Sequence, residues 1–307
     1  MINISKVLLP HDFSDYSEDA ALFAVEIAKH YDAELHALHI MQMHEDVPGD
    51  FQGDETHLDE YHDSREDHLK ALLEEKAGLH KGVHKVIPVL ERGFSVGGRI
   101  IEYAEEHEVE LIIMGTHGRS ALPHLLLGSE AEVVVRGAHC PVLTVHKGTA
   151  DFIRSHRHER ILVPVDFSDF SEYAFKYGIG IAQALNAKVD VLHVIEDRIH
   201  PALYAGGNVS IFDVIPDLRE RTEQTMIEFI QRHGDLPVEV RPVLLDGNTF
   251  SVVLDYAKKE EVELVVMATH GHSGFEHLLL GSTTEKVIRK AHCPVLSVKH
   301  PEREFIT

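Results

Sequence analysis

The sequence predicts an α/β protein built from two tandem doubly wound domains, each a Rossmann-like parallel sheet of five strands. Three observations carry this. First, the chain repeats itself at an offset of 153 or 154 residues. Gly115-Thr-His-Gly118, nine residues, then Gly128-Ser129 returns as Ala268-Thr-His-Gly271, nine residues, then Gly281-Ser282, with ten of fifteen positions identical. Pro10-His-Asp12-Phe-Ser14 returns as Pro164-Val-Asp166-Phe-Ser168, and Ala138-His-Cys-Pro-Val-Leu143 as Ala291-His-Cys-Pro-Val-Leu296. Second, repeats of this length suit globular domains and exceed a solenoid unit. Third, short apolar runs alternate with segments of helical period, the pattern of a parallel sheet covered by helices on both faces.

In the first repeat, residues 6–10 form a short apolar run, read as a buried strand. Residues 17–31 place Ala20, Ala21, Ala24, Val25, Ile27 and Ala28 on one helical face. Residues 34–41 read as the second strand and 58–79 as a charged helix. A strand at 83–90, a helix at 96–107 and a strand at 110–114 follow. A helix opening at 129 and a strand at 141–145 complete the repeat. The second repeat gives strands near 160–165, 188–195, 238–245, 263–268 and 294–298. The polar stretch around 148–158 reads as a linker between domains at 1–147 and 159–307.

Composition narrows the function. The formal charge of −22 opposes generic binding to nucleic acid or anionic lipid, which needs clustered Lys and Arg. No apolar run approaches the ~20 residues of a membrane span. The first residues lack a basic lead and read as a strand, not a signal peptide. Cys140 and Cys293 are the only cysteines. They occupy equivalent places before strand five and read as buried structural thiols in a cytoplasmic protein.

In a doubly wound sheet, ligands bind beyond the carboxyl ends of the strands, where strand order reverses. Asp12 and Asp166 follow strand one, Ile40 and Val194 end strand two, and the glycine loops follow strand four. If strand four lies beside strand one, these segments converge. Glycine lets a phosphate approach the backbone, and a helix N-terminus receives it. Ser129 and Ser282 are expected to cap the following helix and to present a hydroxyl to phosphate.

These motifs, in order and duplicated, resemble the universal stress protein family in its tandem form. The resemblance covers nearly the whole chain twice. In the ATP-binding branch of that family, the aspartate and the end of strand two hold adenine, while the glycine loop holds ribose and phosphate. For repeat one the resemblance implies Pro10, Asp12 and Ile40 at the base, and Gly115, His117, Gly118, Gly128 and Ser129 at ribose and phosphate. For repeat two it implies Pro164, Asp166 and Val194, then Ala268, His270, Gly271, Gly281, Ser282 and Thr283. The implied cofactor is ATP with Mg²⁺, and the implied role a nucleotide-dependent stress sensor with at most slow hydrolysis. No catalytic set is visible. Family members commonly pair through the fifth strand. Here strands 141–145 and 294–298 are expected to pair within the chain, and two chains to form a homodimer.

Two departures stand out. Ala268 replaces the first glycine, which is tolerable at negative φ. Glu130 stands where repeat two has Thr283. An inward, desolvated carboxylate there repels phosphate, whereas an outward one favours a helix N-terminus. Arg119, matched by His272, could offset the charge.

Simpler readings remain beside these. The glycine loops can be plain strand-to-helix turns, and Asp12 and Asp166 plain helix caps, although Ser14 and Ser168 compete for that place. Gly178-Ile-Gly180 falls inside a helix and is not a dinucleotide fingerprint. Of the 25 histidines, 17 precede residue 159. His57, His62 and His68, amid Asp and Glu, offer a zinc site as the alternative reading: a metal-binding or scaffold protein with degenerate nucleotide sites. His39 and His193 read as packed core residues.

Overall fold

The computed structural model describes residues 2–42, 55–78, 82–118, 127–149, 160–196, 211–271 and 280–299. Arg119, His272 and most of the expected linker lie outside them, as do the side chains of His57 and His62. The chain divides into two compact units, with main segments Asn3–His156 and Arg157–Arg303.

The first unit holds β1 (Lys6–Pro10), α1 (Asp15–Tyr31), β2 (Glu34–Gln42), α2 (Glu55–Gly78), β3 (Lys85–Gly93), α3 (Val96–Glu106), β4 (Leu111–Gly115), α4 (Ser129–Gly137) and β5 (Val142–Val145). Its strand order is β3-β2-β1-β4-β5, and every pairing is parallel. Central strands are apolar along their length because helices cover both faces. Val7, Leu8, Leu9, Ile112 and Ile113 are fully buried, each worth roughly 1.5–3 kcal/mol of transfer free energy. The edge strand β3 carries half-buried and exposed residues, with Lys85 and Arg92 near its ends.

Sequence sets the helix limits. Ser14 caps α1 by accepting from the Ser17 N–H, and Asp32 ends it in left-handed backbone at φ 53°. Ala20, Ala21, Phe23, Ala24, Ile27 and Ala28 make up its buried face. The small alanines allow close approach to the sheet.

The second unit repeats the plan with β6 (Arg160–Pro164), α5 (Asp169–Leu185), β7 (Lys188–Ile195), α6 (Ile211–Val214), α7 (Leu218–Gln231), β8 (Val240–Asp246), α8 (Thr249–Lys259), β9 (Leu264–Ala268), α9 (Ser282–Lys290) and β10 (Val295–Val298). Its strand order is β8-β7-β6-β9-β10, again parallel. Gly178 is inside α5, where a Cβ would lie 2.6 Å from Val163 Cγ2. Its role is helix-to-sheet packing.

One buried position distinguishes the units. In β2, His36 Nδ1 lies 2.8 Å from the Tyr103 hydroxyl, and His107 stacks on Tyr103 with centroids 3.9 Å apart. At the matching place in β7, Asp190 accepts from Arg160 Nη1, Arg241 Nε and Nη2 and the Tyr256 hydroxyl, all at 2.9 Å. A histidine cluster thus replaces a buried ion network. Burial pushes the Asp190 carboxyl up, but hydrogen bonds from Arg241, Tyr256 and Arg160 hold it below its ordinary value.

Candidate functional site

Strand order reverses at β1, which pairs with β2 on one side and β4 on the other. β6 does the same with β7 and β9. That reversal opens a crevice at the carboxyl ends of the strands.

Asp12 sits in the turn after β1. Its Oδ1 accepts from the Ser14 N–H at 3.1 Å and from Ser14 Oγ at 2.6 Å. Ser14 itself caps α1, which leaves the aspartate outside that duty. Asp166 is held alike, by the Ser168 N–H at 3.1 Å and Ser168 Oγ at 2.5 Å. Between each pair stands a phenylalanine in left-handed backbone, Phe13 and Phe167, both at φ 63°. For a bulky residue this conformation costs on the order of 1–3 kcal/mol, and such strain gathers at ligand clamps.

The second aspartate oxygen faces the glycine loop. A Cβ built at Gly118 would lie 2.7 Å from Asp12 Oδ2, and one at Gly271 would overlap Asp166 Oδ2. Residues over a hundred positions apart therefore meet, as the crevice requires. The structure gives Gly118 and Gly271 a reason to be glycine: they leave room for the carboxylate.

Gly115 ends β4 and packs on α1, where a Cβ would lie 2.7 Å from Tyr16 Cβ. Its counterpart Ala268 is extended, buried and outside the left-handed region, so its methyl is accommodated. Beyond it, His117 Nδ1 lies 3.2 Å from Thr116 Oγ1, and its ring is 5.3 Å from that of Tyr16. His270 repeats this with Thr269 at 3.0 Å and Phe170 at 5.9 Å.

Gly128 and Gly281 close the loop. Their N–H groups donate to the Thr116 and Thr269 carbonyls at 2.7 Å. A Cβ would fall 3.0 and 2.8 Å from those same oxygens. Here one expectation fails: Ser129 and Ser282 do not cap their helices. The glycines hold the N-cap positions with no side-chain cap bond, and the serines are the first helical residues. The physical reason is the tight Gly-to-Thr carbonyl contact, which fixes the glycine backbone as the entry. By contrast α1, α3, α5 and α8 are capped by Ser14, Ser95, Ser168 and Asn248. α7, which packs on β8, is the other helix with a described N-cap that lacks a side-chain cap bond. An uncapped helix start leaves N–H groups and a positive dipole end available to an anion.

Glu130 turns away from this helix start. Its Oε2 accepts from the Gly97 N–H at 2.5 Å, at the N-terminus of α3. In the second unit Thr283 follows Ser282, and Thr284 Oγ1 donates to the Ala268 carbonyl at 2.8 Å.

Pro10 and Pro164 end their strands opposite Leu38 and Leu192. Ile40 and Val194 are each 8 % exposed near the ends of β2 and β7. Ile40 meets the β3 side of the sheet, where a Cβ at Gly93 would be 3.3 Å from its Cγ2. Asp12 thus meets the glycine loop, while Pro10 and Ile40 lie at and near the ends of β1 and β2.

The sequence reading missed two features. His39 Nδ1 lies 2.6 Å from the His11 carbonyl, and His193 Nδ1 lies 2.8 Å from that of Val165. Glu196 Oε1 accepts from the Thr249 N–H at 3.2 Å and Oγ1 at 2.6 Å, at the start of α8. The repeated Leu-His-Ile/Val triplet was the available signal for the first. Among the described residues, no three His, Cys, Asp or Glu side chains gather as a metal site, and His68 is exposed on α2. Burial pushes the Cys293 thiol up to about 12, which leaves it inert as a nucleophile.

The sequence profile of the universal stress protein family matches residues 3–146 and 158–299. The chain belongs to the universal stress protein family. A universal stress protein of Methanocaldococcus jannaschii is 33% identical over 147 residues, 48% of this chain and 85% of that protein. One from Mycobacterium tuberculosis is 30% identical over 199 residues, 62% of each chain, so it is matched over less than two thirds of its length. The crystal structure of a universal stress protein from Archaeoglobus fulgidus shares the fold, with a TM-score of 0.70, 23% identity, and coverage of 96% of this chain and 98% of that one. This universal stress protein thus carries two copies of the family domain. No described helix is long and apolar enough to cross a membrane.

Proposed function

We propose that each unit holds one ATP in its switch-point crevice, and that the nucleotide state of this universal stress protein sets which partner or assembly form it adopts. One observation carries the reading: in both units an aspartate, a glycine pair and an uncapped helix start meet where the strand order reverses. The donor set fits the ligand. A carboxylate accepts from an exocyclic amine such as that of adenine. N–H groups at the starts of α4 and α9 suit phosphate oxygens. Ser129 and Ser282, as first helical residues, can offer hydroxyls there, and Mg²⁺ would supply charge neutralisation between phosphates. The Glu130 carboxylate is engaged by the Gly97 N–H at the start of α3, so we assign both crevices.

The test is the nucleotide content of the purified protein after denaturation, with uptake measured on adding MgATP. Two moles of ATP per chain is the expected result. Asp12→Ala and Asp166→Ala are each expected to remove one mole. ADP in place of ATP would indicate turnover. Absence of nucleotide together with absence of uptake would refute the reading and favour a scaffold or metal role for the histidine-rich segment.

A further inference from the structure

We infer that His39 and His193 are positioning residues, whose imidazoles bracket the aspartate turn and thereby fix the Asp12 and Asp166 carboxylates against the glycine loops. Its effect on ligand affinity rests on the nucleotide reading above; its geometry does not.

In each unit the ring touches the residues on both sides of the aspartate. On one side Nδ1 meets the carbonyl of residue 11 or 165. A carbonyl oxygen only accepts, so Nδ1 must carry the proton, and the tautomer is fixed in both units. On the other side the ring packs on Phe13 at 4.8 Å, or stacks on Phe167 at 4.4 Å with planes 23° apart. Those phenylalanines hold the left-handed backbone. The next residue, Ser14 or Ser168, closes back onto the aspartate's Oδ1. The histidine therefore secures the carbonyl before the aspartate and the strained residue after it, and Oδ2 is left facing Gly118 or Gly271. A residue that merely filled core volume would need no N–H at Nδ1. The same bond and the same ring contact are kept in both repeats although residues 11 and 165 differ, His in one and Val in the other.

The experiment uses the full chain and two double variants, His39→Asn with His193→Asn, and His39→Leu with His193→Leu. Asparagine places an N–H near the Nδ1 position; leucine keeps bulk and loses the donor. Amide hydrogen exchange is read at Ser14 and Ser168, with β4 and β9 as internal references, and MgATP binding is read by calorimetry. In the leucine pair, exchange at both serines is expected to quicken about tenfold or more while β4 and β9 stay protected. MgATP affinity is expected to fall about tenfold, with the asparagine pair near the parent. Should the leucine pair fail to unfold cooperatively, glutamine replaces it, since its N–H sits near the Nε2 position and is expected to fail likewise. Unchanged serine exchange, or equal losses in the asparagine and leucine pairs, would overturn the inference. If the parent takes up no MgATP yet the serine pattern appears, the nucleotide reading falls and the positioning role stands.

Discussion

At the scale of single residues, the contact of Asp12 with Gly118 decides most about the crevice. A methyl group at 118 would stand 2.7 Å from Oδ2, too close for any real Cβ, so the carboxylate must swing away. Gly118→Ala and Gly271→Ala are each expected to destabilise their unit by about 1–3 kcal/mol through overpacking, read as a lower urea midpoint. Each is also expected to abolish nucleotide retention at its own crevice. The glycine positions were legible in the sequence because the motif is duplicated. Their purpose was not, since it depends on a carboxylate more than a hundred residues away. The same limit applies to His39, whose identity was plain but whose bond to a main-chain carbonyl no spacing rule encodes.

At the scale of elements, α3 and α4 share a device. Glu130, on the first turn of α4, accepts from the Gly97 N–H at the start of α3. Glu130→Ala removes a charged acceptor at a helix start, expected to cost on the order of 1 kcal/mol, visible as a lower melting temperature with MgATP affinity unchanged. Tighter ATP binding in this variant would mean that the carboxylate acts on the crevice after all. Each of the ten described strands coincides with one read from the sequence, and the central ones were plainest, because burial on both faces leaves an apolar run there, whereas the edge strands β3 and β8 carry exposed residues. The errors fall at ends. β3 begins at Lys85, two residues later than the apolar Val83 suggests, because its pairing with β2 starts only at Lys85 opposite Glu34. α1 begins at Asp15, two residues early, because the Ser14 cap and polar first turn precede the apolar face. The short helix α6 is a single turn, below any periodicity test.

At the scale of the whole molecule, proton uptake dominates. Burial lowers the pKa of His36 in one unit and of His193, His233 and His292 in the other, each below the ordinary 6.5. The folded chain then binds fewer protons than the unfolded chain, so stability is whole above pH 6.5 and declines as pH falls below it. Asp190, held low, keeps its contribution until pH falls below 3.8 and through its folded value. The urea midpoint is therefore expected to be flat from pH 7 to 8 and to fall below 6.5. His36→Asn, which cannot titrate, is expected to flatten that fall for the first unit, and an unchanged slope would dismiss His36 as a cause. The 25 histidines also erode the −22 charge as they protonate. Static light scattering is expected to show growing self-attraction toward the isoelectric point near 5.5. The aspartate–glycine contact reaches further, into descent. The constraint runs one way: the aspartate can shorten beside an unchanged glycine, but a side chain at the glycine must turn the carboxylate aside or find it already shortened. Among related sequences a side chain at the glycine is therefore expected together with a replaced aspartate. Because each repeat has its own couple, one crevice can decay while its twin is kept, a route by which a duplicated gene divides its labour.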